Sequence, residues 1–303
     1  MKFNTYLKSC RENFDLTQEQ LIQELYNTYD DFVGLDVSAF SRWERVVSTP
    51  SLDRQVKIVQ LFQTKSNTIF PCFDNRSSEE VENEICSIGI KNLIGNSKQH
   101  ILKFPSISFQ ANDITINHLR SADDIDRAIT MPHAVMQGFT QNNPGMTPEL
   151  LKSWALHSSN LFLVAEVHGQ FFGLFFNLRL KPEVFDKIMN FEMGIFALEN
   201  DDFAKFSEMG CNLPLLFFAN NEKVASLLFL RYYAHLIANQ DNILEVGTTP
   251  VRDGGKKMAV KMKLKPYKEM EMEQGTRSAY RASLSDVLIN ESVLKMIFQK
   301  QED

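Results

Sequence analysis

Four groups of side chains in this 303-residue chain have the chemistry for a site. One is an outward-facing set on a short predicted helix, Ser38, Ser41, Arg42 and Arg45. A second is three carboxylates, Glu166, Glu192 and Glu199. These act as general bases only where they are buried beside a substrate; as solvated or structural carboxylates they do no chemistry. A third is Tyr232, Tyr233 and His235 on one apolar helix, a proton relay if they converge and core or edge residues if they do not. The last is the chain's only basic cluster, the lysines at 256, 257, 261, 263, 265 and 268. It reads as a solvated helix face or as an auxiliary contact to DNA. Cys10, Cys72, Cys86 and Cys211 contain no CxxC pair. That spacing argues against a zinc site and fits buried free thiols in a reducing compartment.

The elements that must position these groups belong to a folded, soluble protein long enough for two domains. Hydrophobic residues make up 44% of the chain and charged residues 23%. A net charge of −6 excludes a protein that coats nucleic acid nonspecifically, but permits a local DNA-binding face built from a few cations and backbone amides. The polar start (Lys2, Asn4, Lys8) gives no signal peptide. The most apolar run, 227–238, is broken by Arg231 and His235 and is too short to span a bilayer. A cytoplasmic location with no membrane contact is expected.

Residues 1–65 show helical periodicity. Phe3, Leu7, Cys10 and Phe14 line one face. Thr17 and Gln20 have capping-box spacing ahead of Leu21, Ile22 and Leu25. Asp36 can cap a further helix, with Phe40 and Trp43 on its inner side. Pro50-Ser51-Leu52 opens the next. These residues, Leu16-Thr17-Gln18-Glu19-Gln20-Leu21, then Ser38 and Ser41-Arg42-Trp43-Glu44-Arg45, then Pro50-Ser51-Leu52, resemble the Xre/Cro-repressor family of helix-turn-helix DNA-binding domains. Two departures stand out: about ten extra residues separate the two motif helices, and Val46 stands where the family tends to have glycine. The resemblance implies that Gln18 meets a phosphate. It implies that Val37, Ser38, Ser41 and Arg42 face the major groove, where Arg42 can bond guanine and Val37 a thymine methyl. Arg45 and Thr49 are implied phosphate contacts. Within the domain, Trp43 is expected to fill the core and Glu44 to bond internally; Arg42 has Glu19 and Asp36 as alternative partners. With eight Lys/Arg and nine Asp/Glu in residues 1–65, one copy should bind DNA weakly. A homodimer reading two half-sites is expected.

Residues 66–112 read as a linker with a connecting helix from Ser78. Its stripe of Val81, Ile85, Ile88 and Leu93 is suited to docking on the second domain or on a second copy. Residues 113–303 alternate strands and helices: a strand from Ile114, helices from Ser121 and Thr147, a hairpin over 161–176, strands at Phe191–Leu198, Leu213–Ala219 and Ile243–Gly247, and helices at Val224–Ala238 and Gly254–Leu264. A terminal helix over 287–298 slightly favours self-association. The order, and above all Ala165-Glu166-Val167-His168-Gly169-Gln170-Phe171-Phe172-Gly173, resembles the GNAT N-acetyltransferase fold. That family binds the acetyl-CoA diphosphate on a glycine-bearing loop at a helix start. The corresponding stretch here, Ala219 to Ser226, has no glycine and carries Glu222.

The expected fold class is therefore α+β multidomain: an all-α helix-turn-helix domain followed by an α/β GNAT-like domain with a mixed sheet. The expected function is a sequence-specific DNA-binding regulator whose second domain senses a small-molecule effector or mediates dimerisation. No catalytic residue, cofactor or metal is expected, and the partner is double-stranded DNA. The alternative is an active acetyl-CoA-dependent N-acyltransferase with a DNA-targeting domain.

Overall fold

The computed structural model describes residues 2–66, 69–73, 76–96, 113–130, 145–250, 253–272 and 275–298. The chain divides into two compact units. One comprises Met1–Ser106, Leu230–Asp241 and Leu288–Asp303; the other comprises Ile107–Phe229 and Asn242–Val287.

The first unit begins with α1 (Phe3–Asn13), α2 (Gln18–Thr28), α3 (Val37–Glu44) and α4 (Leu52–Gln63). Local chemistry sets where three of them start. Thr17 Oγ1 accepts from Gln20 N at 3.1 Å and Gln20 Oε1 accepts from Thr17 N at 2.8 Å, a reciprocal capping box. Asp36 accepts from Ala39 N at 2.6 Å, and Ser51 from Arg54 N at 3.5 Å. The long α2–α3 connection is fastened down. Its 3₁₀ turn, Asp30–Phe32, buries Phe32 completely. Arg54 of α4 lies 5.6 Å from the Phe32 ring centroid and donates to Asp31 O at 2.6 Å, while Lys57 pairs with the Asp31 carboxylate. Gly34 has φ +81°, a conformation that residues with a Cβ rarely adopt.

The end of α3 departs from the usual chemistry. Val46 N bonds Trp43 O and Val47 N bonds Arg42 O at 2.9 Å, the hydrogen-bond pattern of a Schellman terminus. Its left-handed position normally takes glycine. Here Val46 holds it at φ +64°, so the geometry is kept at the cost of backbone strain.

Helix α5 (Ser78–Asn96) buries Val81, Ile85 and Ile88 within this unit. A Cβ added at Gly89 would lie only 2.3 Å from Leu230 Cδ1, so glycine lets these segments approach. The terminal helix α12 (Glu291–Ile297) packs on α4 and α5, and Phe298 meets Phe3 edge-on at 5.1 Å. The apolar face of α12 is thus used inside its own chain. The side chains of Cys72 and Leu93 lie outside the described residues.

The second unit is built on a seven-stranded sheet: β1 (Ile114–His118), β2 (Leu161–Val167), β3 (Gln170–Leu180), β4 (Gly210–Ala219), β5 (Ile243–Thr248), β6 (Lys265–Met272) and β7 (Gly275–Ser283), ordered β1-β2-β3-β4-β5-β7-β6. Every pairing is antiparallel except β4 with β5. The two-residue turn His168-Gly169 has φ +49° and +75°, which matches the strand twist of a tight hairpin. One sheet face carries a core of Phe162, Val164, Phe176, Leu178, Cys211 and Leu213. Trp154 from α7 (Pro148–Leu156) and Phe185 and Ile188 from α8 (Pro182–Met189) belong to the same cluster. On the other face Phe175, Phe217 and Phe229 cluster. A Cβ at Gly173 would meet Val224 and Leu228 of α9 (Glu222–Ala238). Helices thus cover both faces, the arrangement a largely buried sheet requires. The remaining helices are α6 (Ala122–Thr130), α10 (Asp253–Lys261) and α11 (Leu284–Leu288).

Two expectations are corrected. Phe191–Leu198 is not a strand: Phe191 turns the chain with φ +60° and Ile195–Ala197 is a 3₁₀ turn. Lys265 and Lys268 are not on a helix but on the edge strand β6, whose exposed, charge-rich residues lack apolar alternation.

Candidate functional site

The first candidate is the outward side of α3. Phe40 and Trp43 are buried, and Val37, Ser38 and Arg42 are exposed on the same short helix, as is Arg45 at its C-cap. Ser41 is half-buried and its carbonyl accepts from Arg45 Nε at 3.3 Å; Thr49 is exposed. Among the described residues Arg42 has no ion pair, neither with Glu19 nor with Asp36, so its guanidinium remains available. Gln18 is half-buried and its amide donates to Glu44 Oε2 at 2.6 Å.

Glu44 is the hub of this arrangement. Its side chain is only 6% exposed, and Arg11 of α1 bonds it through Nε (2.6 Å) and Nη2 (3.2 Å). The remaining Arg11 nitrogen, Nη1, holds Leu16 O at 2.8 Å. The bond to Glu44 pushes the Arg11 pKa above its ordinary value despite partial burial. Glu44 bonding inside the domain was legible from its place beside Trp43. Arg11 was not, because an ion pair between distant helices leaves no spacing in the sequence.

The second candidate lies where β4 and β5 run in parallel. They pair only at their beginnings, Gly210 with Ile243 and Asn212 with Val246, with a register shift between. Beyond that point β4 runs on to Ala219 and β5 to Thr248, linked by Thr248 Oγ1 donating to Pro214 O at 3.1 Å. An irregularity between Phe176 and Asn177 on the β3 side leaves Leu215 as an extra residue of β4. Burial follows the divergence: Gly210 to Pro214 are buried, whereas Leu215, Phe217, Phe218, Ala219 and Thr248 to Pro250 are half-exposed. Strands that diverge expose backbone N–H and C=O groups along their inner edges, and those groups need partners.

Helix α9 starts just past the open end. Asn221 Oδ1 accepts from Val224 N at 3.0 Å, and Asn220 N bonds Phe172 O at 3.0 Å. Glu222 and Lys223 are exposed in the first turn. On the far side of β5, Arg281 ties Glu245 (2.6 and 2.8 Å) to Asp186 of α8 (2.9 Å). Arg277 lies 5.3 Å from the Phe191 ring and its pKa is lowered by burial.

The other predicted groups do not converge. Glu166 accepts from Asn117 at 3.2 Å at the sheet edge, and Glu192 and Glu199 are exposed. Tyr232 and Tyr233 are buried; burial pushes the Tyr233 pKa up to about 12. His235 is buried against Glu82 at 3.1 Å. Cys10, Cys86 and Cys211 are buried and form no disulfide among the described residues. Among the described residues no cluster of His, Cys, Asp and Glu is placed to hold a metal, and no helix is long and apolar enough to cross a membrane.

No family model matches the sequence, and no curated protein is similar to it. Several solved structures are similar in fold. An N-acetyltransferase from Staphylococcus aureus is 11% identical, covers 56% of this chain and 98% of its own, with a TM-score of 0.38. A GNAT-family acetyltransferase from Streptococcus pneumoniae is 10% identical over 56% of this chain and 98% of its own, with a TM-score of 0.36. An acetyl transferase from Salmonella typhimurium that modifies the N-terminal serine of a 50S ribosomal subunit protein is 7% identical over 56% of this chain and 95% of its own, with a TM-score of 0.37. The expectation of a chain without enzymatic activity gains no support from these neighbours, which are acetyltransferases. The expectation rested on the missing glycine at 219–226, yet glycine is one way, not the only way, to bring backbone N–H groups to a phosphate at a helix start.

Proposed function

We propose that the second unit is an acyl-CoA-dependent N-acyltransferase and that residues 1–65 target it to DNA. The observation that carries this reading is the divergence of β4 and β5 with α9 beginning at its mouth. An extended, amide-bearing donor such as the pantetheine arm of acetyl-CoA fits between two diverging strands. Its amides complete the hydrogen bonds that the inner edges leave open, as an added strand would. A ligand bound across the carboxyl ends of adjacent parallel strands also brings its diphosphate to the first turn of α9. Backbone N–H groups of β4 then face the thioester carbonyl, where they stabilise the oxyanion that forms when an amine attacks.

The DNA-targeting role rests on Val37, Ser38 and Arg42 standing exposed on a helix whose other side is locked by Phe40, Trp43 and Glu44. Gln18, Ser41, Arg45 and Thr49 complete the proposed interface. In this reading a homodimer supplies two such helices about one duplex turn, roughly 34–36 Å, apart.

Thermal melts of the full chain with and without 1 mM acetyl-CoA test the acyltransferase reading. A rise of several degrees is expected, with CoA released when an amine acceptor is added. Absence of any shift, together with no heat in calorimetry, would remove that reading. For DNA targeting, sites selected from random duplexes by the native chain should not be enriched by Arg42→Ala.

A further inference from the structure

Arg179 is a costly side chain of the second unit, a charge taken out of water. It is fully buried, and among the described residues it has no carboxylate partner. Burial lowers its pKa below the ordinary value. Its Nε and Nη1 atoms, and both polar atoms of Asn212, its cross-strand partner on β4, are buried with no hydrogen bond among the described residues. Apolar side chains of similar length would fill the same space without burying a charge. What arginine adds is one atom, Nη2, which donates to Glu208 O at 2.8 Å and to Asn242 O at 2.7 Å.

Those two carbonyls lie immediately before the parallel pair: Glu208 precedes β4 and Asn242 precedes β5. Other contacts support the same place. Asn242 Nδ2 donates to Phe206 O at 3.1 Å, and the Arg179 guanidinium lies 5.7 Å from the Phe206 ring centroid. Gly210, the first residue of β4, has no side chain to obstruct it; a Cβ there would come within 3.1 Å of Arg179 Nε. The Arg179 backbone is held in turn, its N–H donating to Asn160 Oδ1 at 2.7 Å while Asn160 Nδ2 donates to Trp154 O at 2.9 Å. The strands pair where this bridge joins them, and their ladder ends at Asn212 and Val246.

We propose that Arg179 is a positioning residue that clasps the roots of β4 and β5, fixing where the strands diverge and so the width of the cleft at its open end. The link to a bound acyl donor rests on the function proposed above; the clasp itself does not. With Nη2 removed, the two roots keep only the Asn242–Phe206 bond and their short ladder, which opens more often. The cleft then samples wider states, and a ligand spanning it binds the minority that retain the right width.

Hydrogen exchange of the full chain is the test, comparing Arg179→Met and Arg179→Lys with the native protein. In Arg179→Met, amides of residues 210–213 and 243–246 should exchange at least tenfold faster, with those of β1 and β2 changed less than twofold. Arg179→Lys, which keeps the charge and can reach the carbonyls, should fall between. Acetyl-CoA binding should weaken at least tenfold in Arg179→Met. Unchanged exchange at the roots overturns the clasp. So does uniform loss of protection across the sheet in both variants, which makes Arg179 an ordinary core residue. Faster root exchange with undiminished acetyl-CoA binding overturns its positioning role. If the native chain binds no acetyl-CoA, the proposed function fails and the exchange data alone decide the clasp.

Discussion

Replacing Glu44 by alanine should unlock α3 from α1 and α2. The carboxylate takes three hydrogen bonds, from Arg11 at 2.6 and 3.2 Å and from Gln18 at 2.6 Å, and is 6% exposed. Removing one partner of a buried pair leaves the other charge uncompensated, at about 3–5 kcal/mol. Arg11 is 15% exposed, keeps Leu16 O, and has Glu12 at 3.8 Å, so the lower end applies, about 3 kcal/mol. At about 1.4 kcal/mol per tenfold, amides of α1–α3 should exchange roughly 100-fold faster in Glu44→Ala. Glu44→Gln keeps one acceptor without the charge and should be intermediate. The outward residues of α3 depend on this lock for their position, so specific DNA binding should fall with it even though Glu44 faces inward. A loss below about 1 kcal/mol, the range of a solvated surface pair, would refute the assignment of Glu44 as a buried hub.

Three further outcomes follow from the same structure. Val46→Gly should stabilise the first unit by about 0.5–1 kcal/mol in urea unfolding: about 1–2 kcal/mol of left-handed strain is relieved, less about 0.5–1 kcal/mol of glycine chain entropy. A clear destabilisation would mean the valine is not strained. At alkaline pH, burial raises Tyr233 and Cys211 to about 12. Both are stabilised as neutral groups. Their contribution is therefore complete below the ordinary values of 10.0 and 9.0, and is lost as pH rises toward 12. Tyr233→Phe should flatten the fall in stability between pH 10 and 12; an unchanged slope would contradict the burial account. Glu222→Gln should tighten acetyl-CoA several-fold by removing like-charge repulsion of about 1 kcal/mol at the first turn of α9. Unaltered affinity would place the diphosphate elsewhere.

The helix starts of the first unit were legible in the sequence because a cap is a local hydrogen bond between residues two or three apart. Thr17 with Gln20 and Asp36 with Ala39 follow that rule, as does Thr147 with Leu150 in the second unit. The hairpin at His168-Gly169 was legible for the same reason. Strand β6 was not: its exposed, charge-rich residues at the sheet edge lack the apolar alternation that marks a half-buried strand. The strand expected at Phe191–Leu198 failed because an apolar run can be buried by a turn as well as by a ladder. The divergence of β4 and β5 has no sequence signature at all. It depends on how far two segments about thirty residues apart remain paired, and on an arginine that joins the residues just ahead of them.

What acetyl-CoA does to those two strands tests the acyltransferase reading most directly. Hydrogen exchange of the full chain with saturating acetyl-CoA should show slowed amides in β4 from Leu213 to Ala219 and in β5 at Gly247 and Thr248, with the first turn of α9 slowed as well. Binding that protects none of these amides, or no binding at all, would contradict it.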